Sequence, residues 1–237
     1  ALPAPEGFSV EERAAFAVNF VTAWVALLEM ARIRASDRVG ITAAGGGVGT
    51  AAVQIATAHG CAVIAMASSD DKLALARDLG ATATVRYGRA RDPRLEERLR
   101  EAAPGGALDV VLEVVGGDVF RACEAALDNF GRLVVVGYAG LDYRWWNPLS
   151  WWRAWRDAPR MDVTRSVVAS TGVLATHVGY LLPDEERLLG IWRALTDFVR
   201  EHELRPVVGS TWSFDELPEA HRLMESRAST GKLVVRV

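Results

Sequence analysis

The chain has 237 residues, 50% of them hydrophobic and 24% charged, with a formal net charge of −3. That composition fits a globular protein with a sizeable core and excludes collagen-like, disordered and disulfide-scaffold classes. The near-neutral balance gives no general electrostatic reason to bind nucleic acid. There is no run of about 18 uninterrupted apolar residues, and the most apolar stretch, 18–31, is broken by Asn19, Thr22 and Glu29.

In chain order, Ser9 to Ala31 reads as a long helix, with Ser9 at the N-cap and Glu12 three residues on, the pattern of a capping box. A strand at 38–43 ends in Gly45-Gly46-Gly47-Val48-Gly49, and a helical pattern follows at 50–59. Then come a strand (62–67), a helix (70–79), a strand (83–86), a charged helix (94–102), a strand (109–114), a helix (119–127) and a strand (132–136). Apolar runs of four to six residues between helices are what a parallel sheet covered on both faces requires. The fold class expected is α/β, a doubly wound parallel Rossmann sheet with a C-terminal strand–helix–strand remnant at 207–237.

The glycine-rich turn carries the first chemical signal. The turn must be tight, a pyrophosphate must approach the backbone, and the helix must pack closely on the strand; each demand removes a Cβ. The helix N-terminus then offers bare N–H groups and a positive dipole end to phosphates. No Gly-Lys-Ser/Thr follows, so the turn is not a P-loop. The second strand ends at Ala67 and Ser68 without the acid that commonly grips a ribose 2′-hydroxyl. That leaves room for a 2′-phosphate, which Ser68, Ser69 and Lys72 could hold, and favours NADPH over NADH. Alone, Lys72 would read as a solvated helix charge. Asp70 and Asp71 fit as acids at a helix N-terminus.

From these residues outward, positions 9–140 resemble the cofactor-binding half of the medium-chain dehydrogenase/reductase superfamily, in its zinc-free quinone oxidoreductase and enoyl reductase branch. The matching segments include Asn19-Phe20-Val21-Thr22-Ala23-Trp24, the glycine turn running on to Gln54, Leu79-Gly80-Ala81, 109–117, 131–137 and Gly231-Lys232-Leu233-Val234-Val235. His177-Val178-Gly179-Tyr180-Leu181 is similar to the vesicle-protein-type subgroup. The resemblance implies that Gly46, Gly47 and Val48 line the pyrophosphate, and that Ser68, Lys72 and Tyr87 hold the 2′-phosphate, with Arg86 and Arg89 as alternative partners. It also implies that Val114 and Val115 lie under the cofactor, and that Gly137, Tyr138, Val178 and Gly179 flank the nicotinamide, with Thr22 near the same end. The implied cofactor is NADPH and the implied substrate a small electrophile, a quinone or an α,β-unsaturated carbonyl.

Members of that family begin with a GroES-like β-rich domain that carries much of the substrate pocket. This chain starts where that domain is expected to end, and the segment 205–237 is expected to return to it. The organisation expected is therefore a leading helix (1–36), an NADP-binding domain (37–204) and the return segment. Residues 141–163 depart from the pattern, with Trp145, Trp146, Trp151, Trp152 and Trp155 beside Arg144, Arg153, Arg156 and Arg160. This stretch reads as an interface insertion, a wall of an apolar pocket, or a segment lying on a membrane surface.

Cys61 and Cys123 read as buried hydrophobes in a reducing compartment, and the scattered histidines offer no zinc cluster, so a cytoplasmic, metal-free protein is expected. None of the four tyrosines has a lysine four residues on, so the short-chain dehydrogenase pair is absent. No general acid can be named: His177 reads as a structural strand residue and Glu113 as a buried group satisfied by neighbouring backbone. Gly172 to His177 is the candidate edge strand for a homodimer. The rival reading is an NADPH-binding regulatory or assembly module without catalysis.

Overall fold

The apolar runs at 38–41, 62–67, 83–86, 108–113, 127–135 and 172–175 line up side by side. In the computed structural model, which describes residues 2–88, 92–138, 146–158 and 160–237, they form one parallel sheet. Its strands are β1 (Arg38–Ile41), β2 (Ala62–Ala67), β3 (Ala83–Arg86), β4 (Leu108–Glu113), β5 (Leu127–Val135) and β6 (Gly172–Ala175). The order is β3-β2-β1-β4-β5-β6, so the winding reverses between β1 and β4, where Val39 pairs with Val110 and Ile41 with Leu112. A crevice opens at such a reversal because successive crossovers leave β1 and β4 toward opposite sides. The Rossmann expectation is met.

Alternation along the strands feeds two cores. Val39, Ile41, Val63, Ala65, Val110 and Leu112 face α1 (Val10–Trp24), α2 (Gly47–Ala58) and α8 (Glu185–Glu201). Ile64, Met66, Val111 and Leu133 face α4 (Leu95–Ala102) and α5 (Gly117–Ala125). Each fully buried aliphatic or aromatic side chain of this kind stabilises the fold by about 1.5–3 kcal/mol. Phe16 of α1 meets the Trp192 ring of α8 edge-on at 5.4 Å, closing the outer layer.

The Ser9–Glu12 capping box is present: Ser9 Oγ accepts from the Glu12 N–H at 3.1 Å, and Glu12 Oε2 from the Ser9 N–H at 2.7 Å. The helix does not run on unchanged to Ala31. It widens into a π-turn over Val25–Met30, keeping Val25, Ala26 and Leu27 buried. By length and composition Val10–Met30 could cross a bilayer, but more than half of its most apolar 18-residue window is buried inside the protein, as in a core helix.

Other boundaries differ for local reasons. α2 starts at Gly47 rather than Thr50, because the glycines form its first turn. β5 starts at Leu127, ahead of the expected Arg132, across a register shift opposite Leu108–Val110. α3 spans Asp70–Asp78. His177, expected within a strand, lies beyond the end of β6, because Val178–Leu181 turns into a 3-10 coil. Within 141–163, residues 141–145 and 159 lie outside the described residues, and with them Arg144 and Trp145. The remainder forms α6 (Pro148–Asp157), which is followed by α7 (Val163–Ala169). Trp146, Trp151, Trp152 and Trp155 are exposed there. The C-terminal segment forms β7 (Val208–Ser213), α9 (Leu217–Ser226) and β8 (Lys232–Arg236), the two strands pairing in parallel around the helix.

At the amino ends of the strands, Arg38 ties three of them together. Its Nη2 donates to Asp109 Oδ1 and to Asp128 Oδ2, both at 2.6 Å, and its Nε to Asp109 Oδ2 at 2.8 Å. The Arg38 bonds hold the Asp109 carboxyl below its ordinary value. Asp109 ionisation therefore stabilises the fold above about pH 4, and that contribution is lost as pH falls through the depressed value. Replacing Arg38 with Met leaves Asp109 half-buried without its counter-ion. Urea denaturation is expected to show a loss of about 2–4 kcal/mol at pH 7 that shrinks toward pH 3.

Candidate functional site

All six strands point the same way, so their carboxyl ends form one edge, and the residues singled out in the sequence gather along it. Between β1 and α2 the chain turns within a few residues. Ala43 takes a left-handed φ of 48°, and the Gly46 N–H closes the turn on the Ala43 carbonyl at 2.9 Å. A Cβ on Gly49 would lie 2.2 Å from that same carbonyl oxygen, so only glycine lets the helix come this close to the strand end. A Cβ on Gly47 would strike the Asn19 amide of α1 at 2.6 Å, whereas one on Gly46 would meet only the Ala43 oxygen, at 3.3 Å.

Gly46 is the N-cap of α2 and has no side chain to bond the first N–H groups, and Gly47 and Val48 are only half-buried. These N–H groups have no partner within the helix and sit at its positive dipole end. The cradle fits a pyrophosphate: it is bare of Cβ where an anion must approach, and it lies beside the β1–β4 crevice.

Beside it, at the ends of β2 and β3, stand Ser68, Ser69, Lys72 and Tyr87. Ser69 is the N-cap of α3 but makes no side-chain capping bond. Lys72 is one of two lysines in a chain rich in arginine. Its stem fills the space over Gly45, where a Cβ would lie 2.6 Å from Lys72 Cγ. Its ammonium donates to the Arg227 carbonyl at 2.7 Å, and burial lowers its pKa. Tyr87 is pushed up to about 12 by burial, opposed by the Ala43 backbone and by the charge of Arg227. Arg86, an alternative phosphate partner, instead bonds Asp70 at 3.0 Å, with both side chains exposed, and Arg89 lies outside the described residues.

A second cluster lines the ends of β4, β5 and β6. A Cβ on Gly137 would lie 3.4 Å from Val114, and Val115 follows in the loop. Tyr138 is exposed. Val178 and Gly179 lie in the 3-10 turn after β6, with the His177 ring packed on Gly179. Thr22 sits on α1, half-buried, but the α1 residue packed against the turn is Asn19, one helical turn earlier.

Glu113, expected to be satisfied by backbone, is only half so. Its Oε1 accepts from the N–H groups of Val115 (2.7 Å) and Gly116 (2.9 Å), while Oε2 is buried without a partner. Burial raises its pKa to about 7 against the lowering effect of those N–H bonds.

Sequence reasoning missed how the C-terminal segment reaches this corner. The Gly231 N–H donates to the Gly45 carbonyl at 2.8 Å, Gly46 and Gly231 form a parallel bridge, and Arg227 meets Lys72. Arg236 pairs with Glu11, holding β8 along α1. The segment expected to return to a front domain thus rests on α1 and on the glycine turn. Gly231-Lys232 was visible in the sequence, but no local pattern names a partner 186 residues away. Among the described residues no three His, Cys, Asp or Glu side chains gather into a metal site. Cys61 and Cys123 are free and buried.

A six-stranded sheet of this order, with a glycine cradle at its reversal, defines a Rossmann-type domain. Residues 47–149 match the zinc-binding dehydrogenase family model. The chain is 36% identical to the quinone oxidoreductase of Thermus thermophilus, solved alone and with NADPH, covering 99% of this chain and 68% of that one with a TM-score of 0.75. A vesicle membrane protein VAT-1 homologue of Danio rerio is 30% identical, over 98% of this chain and 47% of its own length. The CurK enoyl reductase structure is 26% identical with a TM-score of 0.76, covering 98% of this chain and 64% of that one. The chain belongs to the medium-chain dehydrogenase/reductase superfamily, in its quinone oxidoreductase and enoyl reductase branch. It spans between about half and three-fifths of the first curated relatives it matches.

The turn makes a graded prediction. Gly49→Ala must displace the Ala43 carbonyl and is expected to lower the melting temperature sharply or prevent folding. Gly46→Ala is expected to fold with a small stability loss yet to weaken dinucleotide binding at least tenfold, because its Cβ fills the cradle. Thermal melts with and without ligand read both effects; equal behaviour of the two variants would contradict the assignment.

Proposed function

We propose that this chain is the cofactor-binding part of an NADPH-dependent oxidoreductase that reduces a quinone or an α,β-unsaturated carbonyl. The observation that carries the reading is the corner where Lys72, Tyr87 and Arg227 converge beside a β2 end without an acid. An acid there would repel a 2′-phosphate, whereas a lysine whose stem is fixed against Gly45 presents a charge to it. The 36% identical Thermus enzyme, solved with NADPH, supports the same cofactor. The enoyl reductase likeness supports an electron-poor acceptor.

In this reading the N–H groups of Gly47 and Val48 bind the pyrophosphate. Ser68, Ser69, Lys72 and Tyr87 orient the adenosine phosphate. Val114 and Val115 give an apolar floor, and Gly137, Val178 and Gly179 leave room for the nicotinamide. When bound, the nicotinamide supplies a hydride from its C4. The chain's own part is to fix that ring at the carboxyl edge and to keep water from one side of it.

Calorimetric titration tests the reading. NADPH is expected to bind more tightly than NADH. Lys72→Glu is expected to weaken NADPH by about 30-fold, roughly 2 kcal/mol, while changing NADH by less than about threefold. Absence of heat with both cofactors, or an NADPH affinity untouched by the substitution, would overturn it. Tight binding without oxidation of NADPH by any quinone or enone would favour a non-catalytic cofactor-binding module.

A further inference from the structure

The β4-to-α5 loop has an unusual anchor. Thr42, just past β1, accepts the Val114 N–H on its Oγ1 at 2.9 Å, and Glu113 Oε1 accepts the next two, from Val115 and Gly116. Three consecutive N–H groups therefore turn inward, at the β1–β4 reversal where a dinucleotide would cross. The carboxyl that holds two of them is fully buried, and its second oxygen has no partner. A buried carboxylate with one bare oxygen is costly, whereas a neutral carboxyl in the same place accepts the two N–H bonds on its carbonyl oxygen at much lower cost.

We infer that Glu113 is a positioning residue, holding the Val114–Gly116 loop under the cofactor through its neutral carboxyl, and that dinucleotide binding is coupled to the uptake of a proton on its Oε2. The inference rests on the proposed dinucleotide site. A pyrophosphate brought to the α2 N-terminus adds negative charge to the crevice and excludes water from it. Both changes favour the neutral acid. Among the described residues, the titratable groups that feel the charge of Glu113 are Tyr87, beyond β3, and Cys123 of α5. Burial pushes both upward, so both stay neutral through this range. The cations of the corner are Lys72 on α3, bonded to the Arg227 carbonyl, and Arg227 after α9, whose charge acts on Tyr87. From the Glu113 side chain upward, the raised pKa of about 7 puts the linkage in the neutral range. Where the carboxyl is ionised before binding, a proton must be taken up, so affinity falls as pH rises.

NADH is the suitable probe, because it carries no phosphomonoester that titrates between pH 6 and 9. Its binding heat is measured at pH 7.5 in two buffers of different ionisation enthalpy, and its Kd between pH 6.5 and 8.5. The wild-type chain is expected to take up a fraction of a proton, and its Kd to rise about three- to tenfold across the range. Glu113→Gln, which keeps the shape without the charge, is expected to show neither effect. His177, at the far end of the same edge, is unchanged in both proteins, so a linkage arising there would persist in Glu113→Gln.

A buffer-independent heat in the wild type, or the same linkage in Glu113→Gln, would overturn the inference. Should Glu113→Gln fail to fold, the heats are taken on His177→Asn. Linkage that survives there supports Glu113, and its loss overturns the assignment. Failure of both NADH and NADPH to bind at any pH would instead sink the dinucleotide site itself.

Discussion

A helix that begins within a few residues of a strand end exposes first N–H groups that have no partner within the helix. In this protein that constraint governs the whole carboxyl edge. Gly49 lets α2 approach the Ala43 carbonyl, Gly46 leaves the N-cap without a side chain, and the start of α2 stays bare and partly open. An anion is the natural complement to such a site. Around it, β2 ends in Ala67 and Ser68, Asp70 is paired with Arg86 on the surface, and Glu113 is buried.

The same corner fastens the C-terminal segment. The Gly45 carbonyl receives the Gly231 N–H, and Lys72 reaches the Arg227 carbonyl across the turn. The segment is therefore both structural and local to the corner, since it bonds the glycine turn and brings Arg227 beside Lys72 and Tyr87. The Arg38–Asp109–Asp128 cluster serves the opposite edge, holding the amino ends of β1, β4 and β5. The two edges divide the work: the amino edge carries charge pairs that hold strands, and the carboxyl edge carries groups left open to a ligand.

Much of this was legible in the sequence because it is local. Apolar runs of strand length, the glycine turn and the Ser9–Glu12 box each declare themselves within a few residues, and each is present, β5 with an earlier start than expected. Ser68 and Lys72 could be grouped because they follow the acid-free end of β2 within a few residues, whereas Tyr87 joined them only through the family resemblance. Contacts between distant segments were not legible. Asn19 behind Gly47, Gly231 on Gly45 and the bare Oε2 of Glu113 depend on how helices and termini settle in three dimensions, and no periodicity encodes them. The helix starts were misplaced at α2 and α5 because glycine, a poor helix former, is used there for approach rather than propensity. The π-turn after Trp24 has no Gly or Pro to announce it.

The central claim is that the bare start of α2 is where an anionic nucleotide sits. Amide hydrogen exchange with and without NADPH tests it at the atoms concerned. The account predicts slowed exchange at residues 46–50, with weaker protection at 68–72 and 227–231, and little change at the amino edge around Arg38. Unchanged exchange at 46–50 while NADPH is bound would contradict it.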